Sequence, residues 1–494
     1  MALVITKLST NALRTHEATP LPPPKPGQPR LNGPEAFLHE FYEELVILEV
    51  LQRCLGIIKQ PSRPATTTTQ RFQHWQVFLD QLSWLTDSDN GGNTTSSIAV
   101  EATSNGPKYL LAVNYDSEEK CFRQLKRVLA TLAAAKLSTV EACRRCHSEL
   151  LKECLSFSQK KFKNYQYELS KSIHYAGKSK PEEGSAGQCV IFFWRSLIRH
   201  GELFILTLLL EKRFREDVKS SLELKEPFEL CIFAFDYAKS DLYKEMLLKH
   251  RDKSPEESGS AWSNICHWIG RFQSWVRAIK VLICYVKEHP QDIKNFQTGF
   301  VKHPEDLESL VRPDADQKTH LRGVLERMLP KDKDRAEKAF KILQDHPKPI
   351  REKIDLVFKD LYGDGDKSFT PRCHAELMIL EYFWVKKLPF FHDIRYVGSS
   401  KPSCYCCDLY FRSHPSDITT RATHGNVWPK WCLPPGLKQR NSERLQWDYK
   451  NMLKRMTEEI ESDVLTSIES DLPRRKRVQD STTGIWTAPT FAYV

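Results

Sequence analysis

The chain has 494 residues, which is too long for one ordinary domain, so three or more parts are expected. Hydrophobic residues make up 40% of the chain and charged residues 28%, which is typical of globular proteins and excludes a wholly disordered chain. The formal net charge of +10 suits a polyanionic partner but is too small to require one.

The first part of the chain is predicted to be mainly helical. Residues 1–34 form a proline-rich tail with little to bury, and we predict that this tail is disordered. From residue 35 to residue 345, apolar side chains recur mostly at helical spacing, which predicts one or two packed helical units. Within this region we expect a helix over residues 70–85, a polar loop from Asp87 and a short strand over residues 109–113.

Prolines at positions 347 and 349 mark the next boundary, because proline stops helices. Residues 346–460 then alternate short helices and strands, which is typical of an α/β layer. The fold class is therefore α+β overall, with a large, mainly helical N-terminal region followed by a small three-layer α/β domain. Residues 461–494 are predicted to form a disordered basic tail. The expected elements are helices over residues 350–361, 375–387, 404–411 and 442–460, and strands over residues 394–397 and 418–422.

Neither a secretory signal nor a membrane span is predicted. The apolar segment at residues 190–210 is interrupted by charged residues, so we expect a buried helix there. These features indicate an intracellular protein, cytoplasmic or nuclear, without a membrane partner. The basic run at residues 474–477 fits either a nuclear import signal or a solvated tail. In a reducing compartment, the 14 cysteines are expected to be core residues or metal ligands.

Two of the cysteines stand out by their spacing. Cys404 and Cys407 lie at positions i and i+3, which puts both sulfurs on one face of a helix. At a helix N-terminus, the dipole and the free N–H groups favour thiolate, the form that binds metal. With His374 upstream, one imidazole and two thiolates make three ligands for Zn²⁺. Three protein ligands leave a position for water, which is typical of catalytic zinc sites.

Glu376 lies two residues after this histidine and fits the role of a base. Zinc lowers the pKa of a bound water to about 7. A carboxylate near that water, but not on the metal, can take its proton and hand it to a leaving amine. The combination of H-x-E with C-x-x-C is the signature of zinc-dependent nucleobase deaminases.

The same region resembles a known family, the deaminase-like domain of large fungal proteins. That domain belongs to the superfamily of nucleic-acid and nucleotide deaminases and is related to bacterial toxin deaminases. The resemblance covers residues 348–435 and implies a mixed sheet whose two central helices carry the zinc ligands. It also implies that His374, Cys404 and Cys407 bind the zinc and that Glu376 shuttles the proton. The stretches that carry it are residues 373–377 (CHAEL), 395–407 (RYVGSSKPSCYCC), 423–425 (THG) and 428–431 (WPKW).

The sequence departs from the family pattern in two places. Ser403 separates Pro402 from Cys404, whereas the signature has proline directly before the first cysteine. Deaminases also have a β-hairpin before the histidine helix, and residues 363–371 leave scant room for one. The hairpin strands therefore either come from elsewhere in the chain or are degenerate.

Several roles remain open at this level. Either Cys373 or Cys406 could add a fourth thiolate and close the site, although helical spacing turns Cys406 away from the other two cysteines. The residues after the last strand could line a pocket in which an aromatic ring stacks on a base, or form a packed Trp–Pro corner. Two cations near the cysteines could contact phosphate or be solvated. The residues concerned are His424 and the stretch from Trp428 to Trp431 for the pocket, with Trp428 as the chosen candidate, and Lys401 and Arg395 for the phosphate.

The sequence therefore supports two hypotheses. The first is a zinc-dependent hydrolytic deaminase that acts on a nucleobase in nucleic acid, a nucleotide or a nucleoside. The second is an inactive scaffold in which zinc only stabilises the fold and the helical region binds a partner. The sequence identifies neither the base nor a protein partner.

Overall fold

The computed structural model describes residues 33–58, 70–115, 118–178, 227–250, 260–303, 320–362, 372–434, 443–470, 472 and 474–475. Three predicted features lie outside these ranges: nearly all of the proline-rich tail, the apolar segment at residues 190–210, and the end of the basic tail. No helix within the described ranges is long and apolar enough to cross a bilayer.

Helices dominate the described residues, and seven short strands accompany them. The helices are α1 (Gly33–Leu55), α2 (Gln70–Thr86), α3 (Glu118–Ala134), α4 (Val140–Phe157), α5 (Gln159–Lys178), α6 (Pro227–Tyr237), α7 (Asp241–His250), α8 (Ser260–Glu288), α9 (Leu321–Met328), α10 (Lys333–Gln344), α11 (Ile350–Tyr362), α12 (Ala375–Lys386), α13 (Tyr405–Ser413) and α14 (Glu443–Glu469). The strands are β1 (Ile57–Ile58), β2 (Ser96–Thr103), β3 (Gly106–Val113), β4 (Gln297–Phe300), β5 (Tyr396–Ser399), β6 (Thr419–Thr420) and β7 (Arg474–Arg475).

Five strands form one mixed sheet in the order β4-β3-β2-β5-β6. β2 and β3 are an antiparallel hairpin in which Ser96 lies opposite Val113. β5 runs antiparallel to β2, whereas β4 is parallel to β3 and β6 is parallel to β5. In the fold, the hairpin therefore lies beside the histidine helix α12, although residues 114–374 separate the two along the chain. Of the two alternatives for the missing hairpin, its supply from elsewhere in the chain is confirmed.

The sequence predicted only the C-terminal half of β3, and it missed β2 and β4. Hydroxyl and carboxylate side chains interrupt the apolar pattern of β2, which hides its period. In the fold these hydroxyls have partners: Ser96 donates to the carbonyl of Ser83 (2.7 Å), and Ser97 donates to Ser399 Oγ (3.3 Å). Buried polar side chains are compatible with a central strand when they are hydrogen-bonded in this way.

Alternate residues of the hairpin face two different cores. Ala99 and Leu110 pack on one side, in a core formed with α1, α12, α13 and α14. Ile98, Val100 and Tyr109 pack on the other side, in a core formed with α2, α3, α4 and α8. The molecule is therefore three-layered, and the predicted α+β class with a small α/β sheet is confirmed. The helical N-terminal region supplies one outer layer, part of the other through α1, and three strands, so the sheet crosses the predicted boundary at residue 346.

Asp80 on α2 fixes this outer layer to β5. Its fully buried carboxylate accepts hydrogen bonds from the Tyr396 hydroxyl (3.0 Å) and from the Ser399 amide (3.0 Å), and Arg421 Nε lies 3.7 Å away. Burial raises the pKa of Asp80 to about 6, against the lowering effects of Arg421 and these hydrogen bonds. The close approach also requires Gly398, because a Cβ there would lie 2.6 Å from Leu79 Cβ. β5 is thus held in a defined position directly before the cysteine loop.

The C-terminal helix is longer than predicted. α14 was expected to end at residue 460, but it continues to Glu469 because Val464, Leu465 and Ile468 extend its buried face. Part of the predicted basic tail is also ordered, since β7 pairs antiparallel with β1, with Arg475 opposite Ile57. The disordered tail predicted from residue 461 therefore begins too early.

A buried carboxylate in α12 is expected to make stability depend on pH. Glu381 accepts a hydrogen bond from the Tyr410 hydroxyl (2.6 Å), and His414 Nε2 lies 3.1 Å away. Burial alone would raise the pKa of Glu381, but its contacts with His414, Tyr410 and Tyr449 outweigh burial and lower the pKa to about 2. Against an ordinary value of 4.5, this shift corresponds to about 3 kcal/mol.

Because folding lowers this pKa, the contribution is present above about pH 4.5 and is lost as the pH falls towards 2. Glu381→Gln should therefore lower the urea midpoint at pH 7, and its deficit relative to the wild type should shrink between pH 4.5 and pH 2.5. Glu141→Gln, at an exposed position of α4, is the control and should show no such dependence. A deficit of Glu381→Gln that stays constant with pH would contradict the assignment.

Candidate metal centre

His374 occupies the N-cap position of α12, in an extended backbone conformation. This helix packs across β2, β3 and β5, which places its N-terminus at one end of the sheet. Asn114, directly after β3, accepts a hydrogen bond from the Ala375 amide through Oδ1 (2.7 Å). The distant hairpin therefore caps an otherwise unpaired N–H of the histidine helix, and it orients the residue next to His374.

Cys404 is the N-cap of α13, and its sulfur accepts a hydrogen bond from the Cys407 amide (3.4 Å). Ser403, the departure from the family pattern, ties this turn to the strand that follows. Its hydroxyl donates to the carbonyl of Arg421 (3.1 Å), and its own carbonyl accepts from the His424 amide (3.0 Å). Hydrogen bonds thus hold the turn where the signature uses proline.

The two helix N-termini bring three candidate ligands together. His374 Nδ1 lies 3.2 Å from Cys407 Sγ and 3.5 Å from Cys404 Sγ. All three ligand atoms lie within 4.8 Å of one another. Tetrahedral zinc with ordinary bond lengths separates a nitrogen and a sulfur ligand by about 3.5 Å. The spacing and the chemistry of this donor set therefore fit Zn²⁺.

Each of the three side chains shifts the pKa of its neighbours. Burial alone would lower the pKa of His374, but the neighbouring Cys404 and the charge of Glu376 raise it to about 9. Burial alone would raise the pKa of Cys404, but hydrogen bonding with Cys407 and the charge of His374 lower it to about 6. Burial and the adjacent Cys404 raise the pKa of Cys407. These shifts favour a thiolate at Cys404 beside a charged imidazole at His374.

The second tryptophan of the WPKW stretch contacts one of these sulfurs. The fully buried Trp431 donates its indole N–H to Cys407 Sγ (3.2 Å). The hydroxyl of Tyr42 on α1 donates to the carbonyl of Trp431 (2.7 Å), so the N-terminal helix holds the tryptophan in place. Hydrogen bonds of this kind orient a ligand and tune its affinity for metal. The sequence placed Trp431 in a stretch that could line a pocket, but it did not predict this contact with Cys407.

Glu376 lies in the first turn of α12 with only 4% of its surface exposed. Its Oε2 has no hydrogen-bond partner among the described residues. A buried, unpaired carboxylate oxygen is costly, so such an atom indicates that a water or a ligand belongs beside it. Its charge acts on His374, Cys404 and Cys407, which places it next to the three ligands.

Neither candidate for a fourth thiolate joins the cluster that the described residues form. Cys406 is fully buried in the core on the α1 and α14 side of the sheet. Cys373 is also fully buried, and its thiol is hydrogen-bonded with Cys432. The cluster therefore has three protein ligands, which is the number found in catalytic zinc sites.

The candidate substrate residues fall in different places. Trp428 is partly buried against the core, and His424 accepts a hydrogen bond from the Asn426 amide through Nδ1 (3.0 Å). Lys401 follows β5 and donates to the carbonyl of Gly91. Arg395 lies at the opposite end of β5, exposed and paired with Asp417 (2.7 Å). Arg395 therefore does not flank the cysteine loop, because β5 separates the two.

Comparison with known proteins gives one result, which covers well under half of the chain. Residues 373–435 match the model of a family described as "-like deaminase" (OTT_1508_deam). The chain has no match among curated proteins and none among solved structures. The matched stretch includes α12, β5, α13 and all three ligand atoms of the cluster. The residues around this cluster are therefore similar to a deaminase family, and they form part of a deaminase-like domain.

Proposed function

We propose that the protein is a zinc-dependent hydrolytic deaminase that acts on a nucleobase in nucleic acid, a nucleotide or a nucleoside. The observation that carries this proposal is Glu376 Oε2, a buried oxygen without a described partner beside three converging metal ligands. A site that only stabilises the fold has no need of such an atom. The match of residues 373–435 to a deaminase family supports the same chemistry.

In this proposal, His374, Cys404 and Cys407 hold the metal. When bound, Zn²⁺ acts as a Lewis acid that makes a water nucleophilic near neutral pH. Glu376 would take a proton from the attacking water and deliver it to the amino group. The water oxygen would bond to the ring carbon as the bond from that carbon to the amino nitrogen breaks and ammonia leaves, and the second water proton would end on the adjacent ring nitrogen. Trp431 orients Cys407, and Asn114 fixes the start of α12.

The proposed substrate class is inferred from the reaction of zinc-dependent deaminases and from the net charge of the chain, not from a contact with a substrate. Deaminases of this type attack C4 of cytosine or C6 of adenine, and the positive net charge favours a substrate that carries phosphate. His424 and Trp428 are proposed to contact the base, and Lys401 to contact phosphate. Ammonia release from single-stranded DNA, single-stranded RNA, nucleotides and nucleosides tests the proposal. Release from none of them by the zinc-loaded chain would favour the scaffold hypothesis.

Substitutions of the two adjacent cysteines of α13 provide a matched test of metal binding. Cys407→Ser is expected to weaken zinc binding by at least about 100-fold, since even residues that only support a ligand contribute 10–100-fold. Cys406→Ser, at an equally buried position outside the cluster, should keep one zinc per chain. Metal content after dialysis and competition with a chelator measure both. Loss of zinc from both variants, with folding checked by circular dichroism, would indicate a closed four-ligand site.

A further inference from the structure

A cleft with an excess of positive charge lies at the end of the sheet that carries the cysteine loop. Its walls include the end of α2, the loop that follows it, α5, α8 and the residues between β5 and α13. We call it the basic cleft, and we define it by Trp84, Asp87, Lys161, Tyr165, Arg271 and Lys401. It shares only Lys401 with the residues proposed above.

Arg271 on α8 is the unusual residue of the basic cleft. It is 2% exposed, and its Nε and Nη2 atoms have no hydrogen-bond partner among the described residues. Its guanidinium faces the ring of Tyr165 at 6.0 Å. Arginine stays charged in proteins, so a buried guanidinium without an anion is costly. A buried guanidinium with unpaired N–H groups therefore indicates a site where an anion can bind.

The acids of the basic cleft already have partners. Asp87 Oδ1 accepts from the Thr94 hydroxyl (2.6 Å), and its Oδ2 lies 3.4 Å from Lys161 Nζ. Asp89, at the rim, is paired with Lys160. Among the described residues no carboxylate forms an ion pair with Arg271, although the charge of Asp87 acts on it. The lining therefore has three cations, Lys161, Arg271 and Lys401, against the two acids.

The cations are also held in place. Lys161 is buried, and its Nζ lies 4.8 Å from the centre of the Trp84 ring. The same Nζ donates a hydrogen bond to the carbonyl of Asp87 (3.2 Å). Aromatic walls and short contacts reduce the freedom that the side chains would lose on binding. The site is therefore pre-organised, in contrast to a cluster of solvated surface lysines.

The basic cleft also lies next to the segments that carry the metal ligands. Pro402 lines it two residues before Cys404. The loop that forms its wall contacts the other segment as well, because Arg372, two residues before His374, donates to Asn93 Oδ1 (2.8 Å). The basic cleft and the metal ligands therefore lie at the same end of the sheet and are connected through this loop.

We propose that the basic cleft binds a phosphate group, with Arg271 and Lys161 as its main donors. Phosphate matches the planar, multiple N–H groups of arginine and the point charge of lysine. Two sources could supply the group: a phosphodiester of the substrate, which rests on the proposed function, or a separate phosphorylated small molecule, which does not.

The test uses the full zinc-loaded chain, inorganic phosphate as the probe and potassium chloride at the same ionic strength as the reference. Phosphate at ten times its Kd should raise the Tm of the wild type by about 1 °C or more. Arg271→Met should lose this shift, and calorimetry should show phosphate binding weakened by at least about tenfold. Arg277→Met, at a half-buried position of α8 outside the cleft, is the control and should keep the shift.

The proposal is overturned if phosphate stabilises the wild type no more than chloride does, or if Arg271→Met retains the full response. Arg271→Gln covers the case in which the methionine variant does not fold. It keeps a polar side chain but removes the charge, so undiminished phosphate binding by this variant would also overturn the proposal.

Competition distinguishes the two sources. If inorganic phosphate displaces a fluorescent single-stranded oligonucleotide from the wild type but not from Arg271→Met, the group belongs to the substrate. If phosphate binds without displacing the oligonucleotide, it belongs to a separate ligand, and either result supports the site. None of these measurements depends on ammonia release, so a failure of the proposed deaminase activity would leave them interpretable.

Discussion

Glu376→Gln is expected to abolish deamination while leaving the zinc in place. Glutamine has nearly the same shape and fits the same first turn of α12, so the packing of a residue that is 4% exposed is kept. What it loses is the ability to accept and return a proton. General acid–base catalysis contributes about 10²–10⁴-fold to a rate, and ammonia release should fall by at least that factor.

The measurement combines ammonia release with metal analysis on the same preparation. Glu376→Gln should bind one zinc per chain and unfold at a midpoint equal to or above that of the wild type, since it removes a buried carboxylate oxygen without a described partner. Glu381→Gln serves as a control at a second buried glutamate of the same helix, and it should retain activity at pH 7. If Glu376→Gln released ammonia at the wild-type rate, the proposed role of Glu376 would be wrong.

The sequence predicted those parts of the candidate site that depend on residues close together in the chain. The spacing of Cys404 and Cys407 and the order His374-Ala375-Glu376 are fixed by one helical turn each, so their geometry follows from local structure. Helices with clear apolar periods, such as the one from Gln70, were placed to within a residue or two for the same reason.

The parts that could not be predicted depend on contacts between distant segments. β2 carries no clear period, and its pairing with β5 brings together residues about 300 positions apart, such as Ser97 and Ser399. Trp431 and Asn114 act on the site only because α1 and β3 are packed against it. Arg271 looks like any other charge within a helical pattern. Its burial without a described partner is visible only in three dimensions.

Residues 346–494 alone are expected not to fold, although the sequence divides the chain at that point. The fragment would contain α12, β5, α13 and β6, but not the hairpin that occupies the centre of the sheet. β5 would then present an unpaired edge, and the apolar face that α2 covers would be exposed. Sheets of this kind need three or more paired strands and a covered face to be stable.

The loss extends to the metal centre itself. Trp431 packs against Phe41 with ring centroids 5.8 Å apart, and Gln52 bridges the loop before it by donating to the Gly425 carbonyl (3.0 Å) and accepting from the Val427 amide (3.0 Å). Without α1, the hydrogen bond from Trp431 to Cys407 has no support. We therefore expect the fragment to show no cooperative urea transition and to bind zinc at least about 10–100-fold more weakly than the full chain.

Complementation provides the control for this last experiment. Co-expression of residues 1–345 with residues 346–494 should restore a cooperative transition and one zinc per pair, because β2, β3 and β4 then reach β5 from a separate chain. The same co-expression with a Gly398→Val substitution should fail, because α2 cannot approach β5 when a side chain lies between them. A fragment of residues 346–494 that folds cooperatively and binds zinc as tightly as the full chain would show instead that the helical region is only an attachment, and that the metal centre is built by its own segment.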